Sequence, residues 1–266
     1  MTADPAPDGA DLLALAVEAA TASGELLLSR QGELPALVAT KTSDTDMVTE
    51  LDRASESLVT RTILAARPHD AVLGEEGGLS GTASSGVRWV VDPLDGTTNY
   101  LYGFPVWGVS IAAEVDGEVV AGVVHDPTHG ETFTAARGAG ACCNGRPLAV
   151  VGAPSLGVAL LATGFGYDAA VRAAQGAVLA RVLPEVRDVR RAGAAAVDLC
   201  WVAMGRLDAY YERGLQPWDR AAGMLVAAEA GAAVRELDDG TVVAAAPHLE
   251  APLLALLAAA GGHPGR

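Results

Sequence analysis

Residues 92–99 read DPLDGTTN and follow the apolar run Trp89-Val90-Val91. A buried strand that closes on two carboxylates bracketing Pro93 and Leu94 leaves few options, because like charges that close repel unless something positive sits between them. Pro93 forbids helical continuation backward and Gly96 permits a sharp turn, so the strand is expected to end at Asp92. Residues 95–99 then resemble a helix N-terminus, where free backbone N–H groups favour an anion. Carboxylates beside an anion site conflict unless a divalent metal joins them. Hard oxygen ligands suit Mg²⁺, and a phosphate supplies the remaining ligands. The plainer reading of the octapeptide is an Asx-turn with a capping aspartate.

Three other stretches bear on that choice. Gly74-Glu75-Glu76-Gly77-Gly78 puts two acids directly after the apolar Ala71-Val72-Leu73. Leu51-Asp52 sits on the buried side of a helical pattern, and Trp218-Asp219-Arg220 opens an Ala-rich helix. Each alone has an ordinary explanation: a solvated loop, a surface or capping acid, an acid favoured in a first helical turn. Together with Asp92 and Asp95 they make four acidic sites, each at the end of an apolar element. That is the layout of a carboxylate metal cluster at the carboxyl edge of sheets.

The remaining pattern supplies the scaffold. Residues 1–10 are rich in Pro and Asp and are expected to be disordered. Helical spacing covers residues 11–29 and 50–66, where Pro68 stops the second helix, and short strands follow at 71–73 and 88–91. Strands at 109–114 and 118–125 flank Asp116-Gly117, a hairpin signal, and a third at 131–135 precedes the Asn144-Gly145 turn, giving an antiparallel meander. Beyond Pro154 come a strand at 158–162, helices at 169–183 and 194–204, and a strand at 207–212. A helix at 217–230, strands at 232–236 and 241–246, and a helix at 251–260 complete the chain. Mixed order without repeat or long linker predicts an α+β domain with two sheets, a lobe boundary falling near residue 150 of 266.

Charge and cysteine content narrow the function classes. The chain carries 18 Lys+Arg against 33 Asp+Glu, a net charge of −15, and no basic patch, which argues against nucleic acid as a partner. An acidic protein acting on an anion needs local positive charge, so bound cations are expected. Cys142, Cys143 and Cys200 form neither a CxxC pair nor an even set, so neither a disulfide framework nor a zinc site is indicated, and they read as fillers. His125 and His129 flank a proline turn and read as structural. The start MTADPAPDGAD lacks a signal-peptide pattern, and the apolar stretches fall short of about 18 residues, so no membrane span is expected and the cytoplasm is the predicted location.

GEE, DPLDGTTN and WDRAAG, in this order and at these separations, resemble the inositol monophosphatase family of Mg²⁺-dependent, lithium-sensitive phosphatases. The segment from Lys41 through Asp52 resembles that family's upstream stretch, and the likeness runs from Lys41 to Gly231. The resemblance implies a layered αβαβα sandwich, a homodimer, and two or three Mg²⁺ ions per site. It implies that Glu75, Asp92 and the Leu94 carbonyl hold one ion, that Asp92, Asp95 and Asp219 hold a second, and that a weaker third sits near Glu75 and Glu76. It also implies that Gly96 and Thr97 hold phosphate, that Asp52 orients Thr97, and that Glu75 and Thr97 activate the attacking water. Lys41 either neutralises the approach or is a solvated loop residue.

The expected substrate is a small phosphate ester. The stretch from Arg191 to Cys200 and Asp208-Ala209-Tyr210-Tyr211-Glu212 resemble the inositol-phosphate branch. There Glu212 would accept hydrogen bonds from ring hydroxyls while Gly193, Ala194 and Ala195 pack against the ring, beside Asp95 and Asp219. A carboxylate at that point repels a second phosphate. Relatives often carry Ser or Thr where Ala194 stands, so one ligand hydrogen bond is expected to be missing, and Asp44 stands where Pro is common. Histidinol phosphate is the rival ester, and a regulatory binding protein is the rival of another class.

Overall fold

The computed structural model describes residues 9–31, 38–40 and 47–261. Lys41 and Asp44 therefore lie outside the described residues, as do residues 1–8 of the stretch expected to be disordered. Helix α1 (Gly9–Arg30) begins inside that stretch, two residues earlier than the sequence pattern suggested. A two-stranded ribbon, β1 (Val38–Thr40) with β2 (Met47–Thr49), leads into α2 (Glu50–Ala66).

The first large sheet is built from β3 (Ala71–Gly74), β4 (Gly78–Gly81), β5 (Val87–Asp95), β6 (Gly108–Val115), β7 (Glu118–Asp126), β8 (Glu131–Ala136), β9 (Gly140–Cys143) and β10 (Arg146–Pro147). Its order is β10-β9-β8-β7-β6-β5-β3-β4, antiparallel throughout except for the β3–β5 pair. The run from β6 to β10 is the expected meander. Helix α3 (Thr97–Leu101) lies between β5 and the start of that meander.

The second sheet holds β11 (Leu160–Thr163), β12 (Asp188–Arg190), β13 (Ala209–Arg213), β14 (Ala233–Glu236) and β15 (Thr241–Ala245), in the order β12-β11-β13-β15-β14. Its helices are α4 (Ala169–Val182), α5 (Ala195–Ala203), α6 (Pro217–Glu229) and α7 (Pro247–Ala259). Helix α7 starts four residues before the sequence pattern placed it. Pro247 occupies a first-turn position, where its fixed φ and missing N–H suit a helix start, while the internal Pro252 masks that turn in the sequence.

Four apolar clusters define five layers. Leu12, Ala16 and Leu27 of α1, with Val59 and Ile63 of α2, cover one face of the first sheet at Trp89, Val91 and Ile111. The opposite face, at Val90, Val124 and Phe133, packs on Val197 and Cys200 of α5 and Ala222 and Val226 of α6. Those two helices turn Leu199, Val202 and Ala227 toward Tyr210, Val242 and Ala244 of the second sheet. The far side of that sheet, at Leu161, Tyr211 and Val243, is closed by Leu249, Leu253 and Leu257 of α7. The αβαβα sandwich expected from the resemblance is present. By length and composition the 22-residue α1 is apolar enough to cross a membrane, contrary to the sequence expectation, but its apolar stripe is spent on this core.

The middle layer fits between two sheets because its helices are lined with small residues. A Cβ on Gly223 would lie 2.9 Å from Leu199 Cβ and 3.0 Å from the Ala196 carbonyl oxygen, so α5 and α6 touch almost backbone to backbone. Gly223→Val is expected to lower unfolding free energy by about 1–3 kcal/mol through overpacking, read as a reduced midpoint in urea titration with unchanged far-UV circular dichroism.

Candidate active site

The C-terminal ends of the parallel strands β3 and β5 open onto one crevice. Gly74 pairs with Val91, so the next residues, Glu75 and Asp92, leave the same edge side by side. Strand β5 does not stop at Asp92 as the proline suggested. It continues to Asp95 through an irregularity between Asp92 and Asp95 in its pairing with β6. A proline is tolerated there because a bulge frees its position from the ladder. The bulge gathers Asp92 and Asp95 at one place, and Asp92 Oδ1 accepts the Leu94 N–H at 3.0 Å.

Gly96, at φ 89°, turns the chain into α3. A Cβ there would sit 3.0 Å from the Val106 carbonyl oxygen and 3.2 Å from Ala194 Cβ, so both the conformation and the crowding demand glycine. The first N–H groups of α3 lack partners within the helix, as those of any helix do. Thr97 Oγ1 donates to the Leu94 carbonyl at 3.0 Å, and Asn99 Nδ2 donates to the Val106 and Ala192 carbonyls at 2.6 and 2.8 Å, clamping the turn against the segment before α5.

Asp95 is held across the layers. The backbone N–H groups of Ala195 and Ala196 donate to its carboxylate at 3.1 and 2.8 Å, and that of Val197 approaches at 3.4 Å. Ala194 occupies the N-cap of α5 and has no side chain able to cap it, so Asp95 does so from another sheet. At α6, Gln216 and Asp219 form a capping box in which the Gln216 N–H donates to Asp219 Oδ2 at 2.6 Å. Ser110, paired with Asp92 across β6, donates to the Trp218 carbonyl at 3.2 Å and ties α6 to the crevice.

Burial raises the Asp92 pKa well above the usual carboxylate range, and the charges of Glu75, Asp95 and Asp219 raise it further. Burial and Asp219 do the same to Asp95 against its three amide donors. Asp219 is pushed up to about 7 by burial first, with Glu75 and Glu212 adding to it against the Gln216 N–H. The strongest influences on Asp92 and Asp95 are burial, other carboxylates and backbone N–H groups.

This donor set fits Mg²⁺ in its chemistry: hard oxygens, buried or half-buried, with crowded negative charge. It is not a ready-made cage, because no three His, Cys, Asp or Glu side chains among the described residues are gathered closely enough to hold an ion by themselves. Backbone N–H groups already occupy one lone pair or more on Asp92, Asp95 and Asp219. Mg²⁺ does not require a cage, since it keeps waters and takes one or two carboxylates together with substrate phosphate. Glu75, Asp92, the Leu94 carbonyl, Asp95 and Asp219 are the residues able to hold it.

Around this centre lie residues the sequence reading placed and others it missed. Asp52, 2% exposed, is in the first turn of α2. Glu212 on β13 is half-buried, its desolvation raises its pKa, and its Oε2 accepts the Tyr210 hydroxyl at 2.6 Å. A Cβ on Gly164 would run into the Glu212 carboxylate, which gives the Gly164 turn a reason to be glycine. Glu56 was missed. Its carboxylate accepts the N–H groups of Glu76 and Gly77, both at 2.7 Å, and thereby shapes the loop that carries Glu75. A Cβ on Gly74 or Gly77 would strike that carboxylate. The signal was available in the spacing: Asp52 and Glu56, four apart, share the face that also holds Leu51, Ser55 and Val59. Ser55 Oγ, from the same face, donates to the Pro93 carbonyl at 2.9 Å. Asp198, 1% exposed and beside Glu212 and Asp95 in charge, lies within the Arg191–Cys200 stretch and is another buried acid that the pattern of the sequence did not single out.

The inositol monophosphatase family model matches residues 8–261. The chain belongs to this family. Inositol-1-monophosphatase SuhB of Mycobacterium tuberculosis (strain ATCC 25618 / H37Rv) is 49% identical over 244 residues, which cover 86% of this chain and 84% of that protein. The Nus factor SuhB of Xylella fastidiosa is 44% identical over 216 residues, 81% of this chain and 78% of its own. The crystal structure of extragenic suppressor protein suhB from Bartonella henselae superposes with a TM-score of 0.88 at 37% identity, covering 93% of this chain and 98% of that one. The fold brings the GEE, DPLDGTTN and WDRAAG stretches to one crevice.

Two predictions follow from this geometry. Acids whose folded pKa is raised bind more protons in the native state than in the unfolded one, so stability falls as pH rises from the ordinary carboxylate range near 4 toward and beyond about 7. The metal-free protein is therefore expected to lose melting temperature between about pH 5 and pH 8, and Mg²⁺ is expected to recover it at the upper end. A flat melting profile, or one blind to Mg²⁺, would refute the charge reading. Separately, Glu56→Gln keeps one acceptor and is expected to cost about 1–2 kcal/mol, whereas Glu56→Ala costs more and lowers Mg²⁺ affinity through the Glu75 loop, by calorimetric titration.

Proposed function

We propose that this chain hydrolyses a small phosphate monoester, inositol 1-phosphate foremost, with Mg²⁺ as cofactor. The observation that carries the proposal is the set of carboxylates Asp92 and Asp95, both buried, and Asp219, half-buried, all raised in pKa by burial and by nearby carboxylates and opening beside the N-terminus of α3, with the Gln216 N–H and Arg220 acting against the rise at Asp219. The name of the M. tuberculosis relative supports the choice of ester.

Bound Mg²⁺ would supply charge neutralisation for the phosphoryl oxygens and acidify water. The chain's own groups do the rest. The N–H groups of Gly96 and Thr97 hold a phosphate oxygen, with the Thr97 hydroxyl beside them. Glu75 accepts the proton of the water that attacks phosphorus in line, while Asp52 and Thr97 orient the approach. The bond from phosphorus to the ester oxygen breaks, and the departing alkoxide takes a proton from water. Glu212 accepts hydrogen bonds from the alcohol's hydroxyls and disfavours a second phosphate, and Gly193, Ala194 and Ala195 bound the ring. With alanine at 194 the chain offers no side-chain hydrogen bond there.

The same surface supports a homodimer reading: Tyr102 and Phe104, 77% and 50% exposed just past α3, give an apolar patch beside the site. The Nus factor name of the X. fastidiosa relative favours a second reading, in which the chain also acts through a macromolecular partner.

Phosphate release should be measured with Mg²⁺ from inositol 1-phosphate, histidinol phosphate, fructose 1,6-bisphosphate and 3′-phosphoadenosine 5′-phosphate. Preference for inositol 1-phosphate is expected; another preference keeps the metal chemistry and discards the alcohol assignment, and no release from any ester favours the regulatory reading. Asp95→Asn is expected to cut turnover more than about a hundredfold with the fold intact. Glu212→Ala is expected to weaken inositol 1-phosphate turnover more than that of an aryl phosphate, and equal losses on both would remove Glu212 from the alcohol pocket.

A further inference from the structure

A cavity of about 410 Å³ lies on the outer face of the second sheet, between α4 and α7. Val171, Ala174 and Val178 of α4 face Leu254 and Leu257 of α7 across it, and Tyr211 of β13 forms part of its floor. Its size suits a small organic molecule. It is distinct from the carboxylate crevice and meets the proposed substrate residues only at Glu212.

One buried polar atom in its walls, Asp239 Oδ2, makes no hydrogen bond, whereas the nearby Tyr211 hydroxyl has the Thr163 side chain as its partner. The other oxygen of Asp239 accepts the Thr241 N–H at 3.0 Å, and Oδ2 has Arg213 Nη1 only at 3.9 Å, on a side chain 60% exposed. A buried carboxylate oxygen left without a donor is costly, and as a pure acceptor it calls for an N–H or O–H from elsewhere. Asp239 and Glu212 outnumber Arg213 in the lining, and the whole chain carries −15, so a cation is favoured over an anion.

Helix α4 is lightly held over this space: Val182 is its one buried residue, and Val171 is 45% exposed. Gln175, in the middle of α4, grips both sides of Glu212. Its Oε1 accepts the Gly166 N–H at 2.9 Å, from the turn that starts at Gly164, and its Nε2 donates to the Arg213 carbonyl at 3.2 Å. Whatever presses α4 onto the cavity also sets the turn and strand end between which Glu212 lies.

We propose that the α4–α7 cavity is a regulatory site for a small apolar amine, whose ammonium group meets Asp239 and whose occupancy tunes the alcohol pocket through Gln175 and Glu212. The binding half stands alone, while the tuning half rests on the assignment of Glu212 to substrate recognition.

Tryptamine is a suitable probe, titrated calorimetrically into the full chain in the presence of Mg²⁺. Saturable one-site binding is expected, about tenfold weaker in Asp239→Asn and lost in Ala174→Trp, which fills the cavity. Its hydroxyl analogue tryptophol should bind more weakly than tryptamine. The KM for inositol 1-phosphate should shift about fivefold with bound tryptamine while turnover of an aryl phosphate stays constant. Absence of binding, binding that Ala174→Trp leaves intact, or binding that rising Mg²⁺ displaces would overturn the site, the last by placing the amine on the crevice carboxylates. Binding without any change in KM would overturn the tuning. Because the titration needs no turnover, failure of the phosphatase reading would leave the binding result interpretable.

Discussion

Asp95 is the interaction on which the rest of this structure depends. A carboxylate at the end of a strand in the first sheet caps a helix that belongs to the layer between the sheets. The helix cannot supply its own cap, because Ala194 lacks a polar side chain, and the carboxylate cannot stay ionised in a buried crevice without donors. Each need is met by the other. The consequence is positional: the N-terminus of α5, which carries Gly193 to Ala195, is fixed against the Gly96 turn to within van der Waals contact. The two ends of the proposed substrate, phosphate and alcohol, are thereby measured from one carboxylate.

Like-charge crowding is the cost of that arrangement, and the surrounding chain absorbs it with backbone donors. Asp92 takes an amide from Leu94, Asp95 takes amides from α5, and Asp219 takes one from Gln216. Amide donors lower each pKa, yet burial and mutual repulsion win, since all three acids remain raised. A guanidinium at the centre would settle the charge but would also fill the crevice and compete for the phosphate. An exchangeable divalent cation settles it and leaves the crevice open to an anion, so electrostatics alone argues for a metal here.

Most of the scaffold was legible because its signals are local. Glu50–Ala66 shows its apolar stripe and its proline stop, the hairpin shows Asp116-Gly117, and small residues mark the middle helices. The failures share a cause: each was a place where tertiary contact overrides a local rule. Pro93 reads as a strand end, but a bulge carries β5 past it to Asp95. Pro252 reads as a helix boundary, but α7 continues through it from Pro247. In the site, Asp92 and Glu75 could be paired from strand ends, whereas the capping of α5 by Asp95 links residues about a hundred apart and leaves no periodic trace. Glu56 was hidden because a glutamate in a helix is ordinarily solvated. Its neighbours Asp52 and Ser55, polar residues repeated along an otherwise apolar face, are what distinguish it.

That polar face of α2 explains how the crevice can be both crowded with charge and precise. Ser55 holds the Pro93 carbonyl, Glu56 holds the loop after β3, and Asp52 lies one turn before them. One helix thus indexes both acidic loops of the first sheet, while α5 and α6 index Asp95 and Asp219 from the other side. Had the acids been carried by loops anchored only to themselves, their repulsion would open the crevice and scatter them. Because each acid-bearing segment is bonded to a helix, the two acidic loops to one face of α2 and Asp95 to the start of α5, while Asp219 lies in the first turn of α6, the repulsion is held in place. The crevice is thereby suited to a cation, whose binding would relieve the repulsion that folding put there.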